Sequence, residues 1–260
     1  MNEMISVLMT VHNAEKYVSN SVESILLQKY KNFELIIVDD LSTDNTVNIL
    51  KKIKDERIKF YPLKEKLGRT KALNFALSKS NSNIIAVQDA DDISDPYRFE
   101  ISLKKMNLEE SIGLISVNFN FIDSEGKQEK IKNKLQSSRE NIDNLKILNF
   151  IPHSSIIFKR NIFQKNLFYD ETFIYSQDYK LILDYFKNSK IYLMSEKLVN
   201  IRKHDENMTN KKEYKKIIIE ENIKILNYIT RNFELKLLER FQILFFKLKN
   251  FFKLIIHNND

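Results

Sequence analysis

The chain has 260 residues, 43% hydrophobic and 30% charged, which suits one large α/β domain, or a domain of about 200 residues with an appendage. It contains no cysteine, which excludes disulfides, thiolate metal sites and cysteine nucleophiles and fits a reducing compartment. Of the net charge of +7, residues 211–260 carry eleven Lys/Arg against six Asp/Glu, so +5 sits in the last fifth and suggests an anionic surface as partner.

The first apolar run, Ile5–Val11, reads as a strand buried on both faces. It is too short for a membrane span, and Met1-Asn2-Glu3-Met4 lacks the basic flank of a signal peptide. An amphipathic stretch at about 14–29 follows, with Val18, Val22, Ile25 and Leu26 at helical spacing. The alternation then repeats: strands at Phe33–Val38, Ile58–Tyr61 and Ile84–Val87, helices at about 44–55 and 69–80. Such alternation predicts a mostly parallel central sheet with helices on both faces. Sheets of this kind bind ligands at the carboxyl ends of their strands.

Beyond residue 96 the pattern loosens. Strand signals at 112–122, 155–158 and 190–201, a turn at Asp123–Gly126, and helix signals near 97–108, 140–149 and 176–188 read as a mixed continuation of the same sheet. From about 211 the chain is expected to be helical throughout. In its last helix Leu237, Phe241, Leu244, Leu248, Phe251 and Ile255 form an apolar face, with Lys236, Arg240, Lys247, Lys249 and Lys253 on or beside the opposite side. A basic helix with a Phe/Leu face suits an anionic membrane surface, here through 234–256, and suits packing on its own domain or a dimer partner almost as well.

Carboxylates at strand ends are costly to desolvate unless they bind donors or a cation. Asp39-Asp40 ends the second strand, and Asp44 in the Leu41-Ser42-Thr43-Asp44 that follows reads as a helix cap. Asp89-Ala90-Asp91-Asp92 ends the fourth. Three carboxylates within four residues repel one another, and a divalent cation shared with substrate phosphates relieves that repulsion.

In order along the chain, Ile5–Asn13, Ser24–Gln28, Glu34–Thr46, Leu67-Gly68-Arg69 with Ala72-Leu73-Asn74, and Gln88-Asp89-Ala90-Asp91-Asp92 with Pro96 and Arg98 resemble glycosyltransferase family 2. The motifs span roughly residues 4–105, and a thinner match runs to about 210. The resemblance implies a Rossmann-like, A-type glycosyltransferase fold and transfer with inversion from a nucleotide diphosphate sugar, UDP-sugar being the expected donor, with Mn²⁺ or Mg²⁺ as cofactor. It implies that Thr10, His12 and Asp40 hold the nucleotide base, that Asp39 supports that pocket, that Asp89 faces the ribose, and that Asp91 binds the metal. The position of His12 is often tyrosine in relatives, and that of Leu41 often glycine.

Inversion needs a general base at the acceptor hydroxyl. Ser176-Gln177-Asp178-Tyr179 resembles the family's Glu-Asp motif with Gln177 in place of the acid, which makes Asp178 the candidate base. Arg202-Lys203-His204 resembles a late Arg-X-His element, so Arg202 is expected near the diphosphate and His204 near the metal. Arg69 and Lys71 open a helix after Gly68 and can serve the donor. Within Phe150–Ser155, His153 is an acceptor-contact candidate.

These readings divide the chain into a catalytic domain, 1–210, and basic amphipathic helices, 211–260. The catalytic domain has a nucleotide-binding half, 1–108, and an acceptor-side half, 109–210. The acceptor is expected to be a saccharide or a lipid-linked glycan of a bacterial surface polymer. The protein is expected in the cytoplasm or on the inner face of its membrane, with no nucleic acid partner. A nucleotidyltransferase is the rival enzyme, but its glycine-rich phosphate loop is missing from Thr10–Ala14. A donor-binding protein without turnover is the other alternative, suggested by Gln177 and His12.

Overall fold

The computed structural model describes residues 3–129, 141–163, 168–204 and 214–257, with side chains to 255. Residue 140 of the expected helix, the start of the C-terminal extension at 211–213, and the last side chain of the 234–256 segment lie outside them. The first hundred residues form β1 (Ile5–Val11), α1 (Val18–Leu26), β2 (Phe33–Asp39), α2 (Thr46–Lys52), β3 (Ile58–Pro62), α3 (Arg69–Ser78), β4 (Ile84–Val87), a two-residue β5 (Ile93–Ser94) and α4 (Arg98–Leu108). Then follow β6 (Ile112–Ile122), β7 (Gln128–Glu129), β8 (Ile156–Lys159), α5 (Gln177–Asn188), β9 (Lys190–Arg202), α6 (Lys215–Asn232) and α7 (Leu237–His257).

Nine strands make one sheet in the order β3-β2-β1-β4-β8-β6-β9-β5, with β7 beside β6. The β3-β2-β1-β4 side is parallel throughout. The other side is mixed: β8 runs against both β4 and β6, β9 runs with β6, and β5 runs against β9. This is the Rossmann-like A-type architecture with a helical C-terminal region.

Side-chain alternation on the strands feeds two cores. Ile5, Val7, Met9, Leu35 and Ile37 pack with Val18, Val22 and Ile25 of α1 and with Phe99, Leu103 and Met106 of α4. Leu8, Ile36, Val38 and Val87 face the other way onto Ala72, Leu73, Ala76 and Leu77 of α3 and Leu181, Ile182 and Tyr185 of α5. Both sheet faces are therefore dry, and polar chemistry is left to the strand ends.

Three details differ from the pattern. The helix signal near 140–149 yields only a 3₁₀ turn, Ile142–Lys146, begun by the Asn141 side chain accepting the Asp143 amide. β5 and β7 are two residues each and carry no periodicity to detect. In α7 the expected apolar face points outward: Leu237, Phe241, Leu244, Leu248, Phe251 and Ile255 are 43–71% exposed. Ile243 and Phe246 face the body instead, within a third cluster built from Phe173, Tyr179 and Leu183 and from Ile225, Leu226 and Ile229 of α6.

Candidate functional site

The loops after β1 and β2 are laced together. Asn13 and Leu41 both adopt positive φ, 52° and 59°. The Asn13 amide donates to Ser42 Oγ at 2.9 Å, its side-chain carbonyl accepts the Thr43 amide at 2.8 Å, and the Ala14 amide donates to Thr46 Oγ1 at 2.8 Å. Asp44 accepts the amides of Thr46 and Glu15, 3.0 Å each, so it starts α2 and ties the two loops together.

The two strand-end aspartates are held differently. Both oxygens of Asp40 are taken by backbone, the amides of Leu67 at 2.7 Å and Gly68 at 3.0 Å, because that carboxylate turns under the loop leading into α3. Asp39 accepts the Ser42 amide at 3.0 Å through Oδ2, while its Oδ1 is buried without a protein partner. His12 is exposed and oriented from both sides: Nδ1–H donates to the Asp40 carbonyl at 2.9 Å, and Nε2 accepts from Lys66 Nζ at 3.0 Å. Thr10 is half-buried near the end of β1.

The acidic loop after β4 divides its three carboxylates among three partners. Asp89 pairs with Arg69 at 2.5 Å. Burial opposes its ionisation, but the Arg69 charge, with His153, overcomes that and holds the carboxyl below its usual range. Asp91 Oδ2 meets His204 Nε2 at 3.0 Å, across 113 positions of sequence. Asp92 is buried and accepts the Arg202 amide at 2.9 Å; burial and the charges of Asp91 and Asp89 push its carboxyl well above the usual range. No group of three or more potential metal ligands exists among the described residues.

Beneath this loop lies Arg98, fully buried, bonded to Gln88 Oε1, Ser94 Oγ and the carbonyls of Val87 and Ile156 at 2.9–3.1 Å. Burial lowers its pKa to about 9 while Asp92 and Asp89 work to keep it charged.

Arg202, expected near the diphosphate, is held by backbone carbonyls. Its Nε bonds the Asp91 carbonyl at 2.9 Å, and Nη1 bonds the carbonyls of Asp123 and Ser124 at 2.9 and 3.1 Å, so it clamps the acidic loop to the turn after β6. Tyr17 lies beside it, 4.7 Å from its guanidinium and 4.9 Å from the His204 ring. His153, expected at the acceptor, is buried: Nδ1 accepts from Arg69 at 3.3 Å and Nε2–H meets Tyr169 Oη at 2.9 Å. Burial lowers its pKa to about 4, so the ring is neutral and serves to orient Arg69.

Asp178 stands in the first turn of α5, where the helix dipole favours a carboxylate. Its Oδ1 accepts the Tyr179 amide at 2.6 Å and its Oδ2 meets Asn149 Nδ2 at 3.3 Å. Burial nevertheless raises its pKa to about 6, against the Tyr179 amide and the Arg69 charge. Burial also works against the charge on Arg69, and Asp89, Asp178 and Asp91 together overcome it and hold the guanidinium cationic. Arg69 thus pairs with the acidic loop and lies within electrostatic reach of Asp178.

Sequence reasoning missed Lys66, Ser154, Tyr169, Asn149 and Glu221. Ser154, whose Oγ accepts the Asp89 amide at 2.9 Å, lies within the Pro152-His153-Ser154 motif and was open to detection. The others carry no local signal, since their partners lie from 16 to 54 positions away.

The family model described as Glycosyl transferase family 2 matches residues 6–167. An Escherichia coli protein named O-antigen biosynthesis glycosyltransferase WbnJ is 35% identical over 213 residues, covering 78% of this chain and 81% of that one. Among solved structures, residues 1–349 of Staphylococcus aureus TarS in complex with UDP-GlcNAc superimpose with TM-score 0.73 at 20% identity, over 96% of this chain and 72% of that one. The mannosyltransferase PcManGT from Pyrobaculum calidifontis, solved with GDP-Man and Mn²⁺, gives TM-score 0.67 at 14% identity, over 91% of this chain and 66% of that one.

Proposed function

Because this chain belongs to glycosyl transferase family 2, we propose that it is an inverting, metal-dependent transferase moving a sugar from UDP-sugar to a saccharide or lipid-linked acceptor. The observation that carries the reading is Arg69, paired with Asp89 of the acidic loop at 2.5 Å and close enough to Asp178 for each to act on the other's charge. The UDP-GlcNAc complex of the S. aureus fold relative supports the donor class, and the name of the E. coli relative supports a surface-glycan acceptor.

On this reading Thr10, His12 and Asp39 meet the base, the unpaired Oδ1 of Asp39 being an acceptor for an imide N–H. Asp40 holds the turn that positions Arg69, and Asp89 presents the ribose site. Asp91 and His204 would hold the cation. The carboxylate and imidazole, 3.0 Å apart, are ligand types such a cation would take, and the imidazole would favour Mn²⁺ over Mg²⁺. When bound, the cation supplies positive charge to the leaving diphosphate. Asp178 takes the proton of the acceptor hydroxyl as that oxygen bonds to the anomeric carbon and the bond to the diphosphate breaks on the opposite face. Arg69 adds a fixed charge near the departing group.

We assign donor recognition to 1–108, acceptor recognition to 109–210, and membrane attachment to the basic helices of 211–260. No helix among the described residues is long and apolar enough to cross a membrane. The outward Leu/Phe face of α7, with exposed Lys249 and Lys253, suits insertion at an anionic surface. Lys247 bonds Thr230 Oγ1 at 3.1 Å and faces the body.

Thermal unfolding with UDP-GlcNAc, UDP-Glc or GDP-Man, each with Mn²⁺ or chelator, tests the donor reading. A UDP-sugar is expected to raise the midpoint only with metal. Stabilisation by GDP-Man alone, or equally in chelator, rejects it. Removing 234–260 is expected to leave that stabilisation intact while abolishing sedimentation with anionic vesicles.

A further inference from the structure

The last residues of the chain's family match lie at 167, and α6 begins 48 positions later. One α6 side chain is nevertheless among the most completely buried acids in the molecule. Glu221 is 1% exposed. It faces backbone: Oε1 accepts the Ile174 amide, and Oε2 accepts the amides of Tyr175 at 3.0 Å and Ser176 at 2.8 Å. These are the three residues leading directly into α5, whose second residue is Asp178.

A buried carboxylate is tolerated only when donors replace its water. Here it gathers donors that precede the helix start, on a segment with no regular structure of its own. The other side of that segment is tied to the donor arginine's helix: Thr70 Oγ1 donates to the Phe173 carbonyl at 2.6 Å, and Asn74 Nδ2 donates to the Tyr169 carbonyl at 3.0 Å. The Tyr214 ring lies tilted against Tyr175, with ring centres 4.8 Å apart, and Ile225, Leu226 and Ile229 pack on Phe173, Tyr179 and Leu183. The segment before α5 is thus stretched between α3 and α6.

We infer that Glu221 is a positioning residue for the transfer step: from outside the family-matched region it fixes the segment that sets where Asp178 stands relative to Arg69. The inference rests on the reading of Asp178 as the base. It acts through backbone placement alone, so it bears on turnover and leaves the donor pocket untouched.

The test compares Glu221→Gln, Glu221→Asp and Asp178→Asn in the full chain, each checked for an unchanged thermal midpoint. UDP release from UDP-GlcNAc, with water as acceptor, reports turnover, and UDP with Mn²⁺ reports donor-site affinity. Hydrogen exchange at the amides of 174–179 reports the segment itself. In Glu221→Gln the side-chain NH2 meets a backbone donor whichever way the amide turns, the Ile174 amide on one side or those of Tyr175 and Ser176 on the other. Turnover is expected to fall at least tenfold with UDP affinity within twofold, exchange at 174–176 to quicken, and Glu221→Asp to retain part of both. Added to Asp178→Asn, Glu221→Gln is expected to cost nothing further, the mark of two residues acting as one unit. Unchanged exchange and turnover in a folded Glu221→Gln overturn the inference, as does an equal loss of UDP affinity, which makes Glu221 a general structural support. If Asp178→Asn itself turns over normally, it is the base assignment that fails. If the wild type releases no UDP, the donor assignment fails and the exchange arm still decides the role of Glu221.

Discussion

In the proposed division into a donor side and a base side, Asp39 and Asp40 stand on the first where β2 ends, and the amides that hold them belong to Ser42, Leu67 and Gly68, none more than 28 positions away. On the base side, Asp178 stands at a helix start, and its surroundings come from Asn149, from α3 across about a hundred positions, and from α6. A parallel strand delivers its last residue to the same edge of the sheet whatever follows it. A helix start is located only by what caps it and what packs behind it. The donor side is therefore built locally and the base side by assembly.

The sharpest way to break this comparison is to remove charge on each side in turn. Asp91→Asn is expected to abolish transfer and metal-dependent nucleotide affinity together, measured by UDP release and by titration with UDP and Mn²⁺. Full activity in that variant, or in excess chelator, removes the cation from the mechanism. Asp178→Asn is expected to lower turnover by roughly 10² or more with donor affinity unchanged. A base must be unprotonated, and burial raises the Asp178 pKa to about 6, so wild-type turnover is expected to rise with pH through about 6 and then level off. A limb near pH 4 would mean that the carboxyl is not desolvated.

Within the donor side, Asp39 and Asp40 separate recognition from support. Asp39→Asn is expected to weaken UDP about tenfold with little change in stability, since it alters an unpaired oxygen. Asp40→Asn places an amide against a backbone donor and is expected to destabilise the fold by about 1–3 kcal/mol in denaturant titration as well as weakening UDP. Equal phenotypes contradict the division of tasks. The smallest effect belongs to Leu41, whose φ of 59° suits glycine. Leu41→Gly is expected to raise the midpoint by about 2 °C at most, relief of the turn being offset by a looser unfolded chain.

The parallel half of the sheet, its helices and the strand-end acids were legible because strands announce themselves as apolar runs, and the second and fourth run into acidic residues. The Asp91–His204 pair was legible only through family resemblance, as nothing local joins residues 113 apart. Arg202 and His153 were read as ligand contacts, yet both are spent on protein partners, the one on three carbonyls and the other between Arg69 and Tyr169. Residue type suggested their chemistry, but burial decided their use. For α7 the apolar periodicity was correct, and its outward direction was invisible because Ile243 and Phe246 offer the body an apolar side as well.

The pairing of β5 with β9 has a consequence for the order in which the molecule forms. Ile93 meets Asn200, the Asp95 amide donates to the Leu198 carbonyl at 2.9 Å, and Asp92 accepts the Arg202 amide. Strands β1 to β4 can pair as soon as they leave the ribosome, but the acidic loop that follows them has no anchor on its far side until β9 is made. At roughly 5–20 residues per second that wait is on the order of ten seconds. The nascent chain is therefore expected to pair β1 to β4 before the acidic loop is complete, the loop closing when residues near 200 arrive, by contacts of high sequence separation that are slow to form.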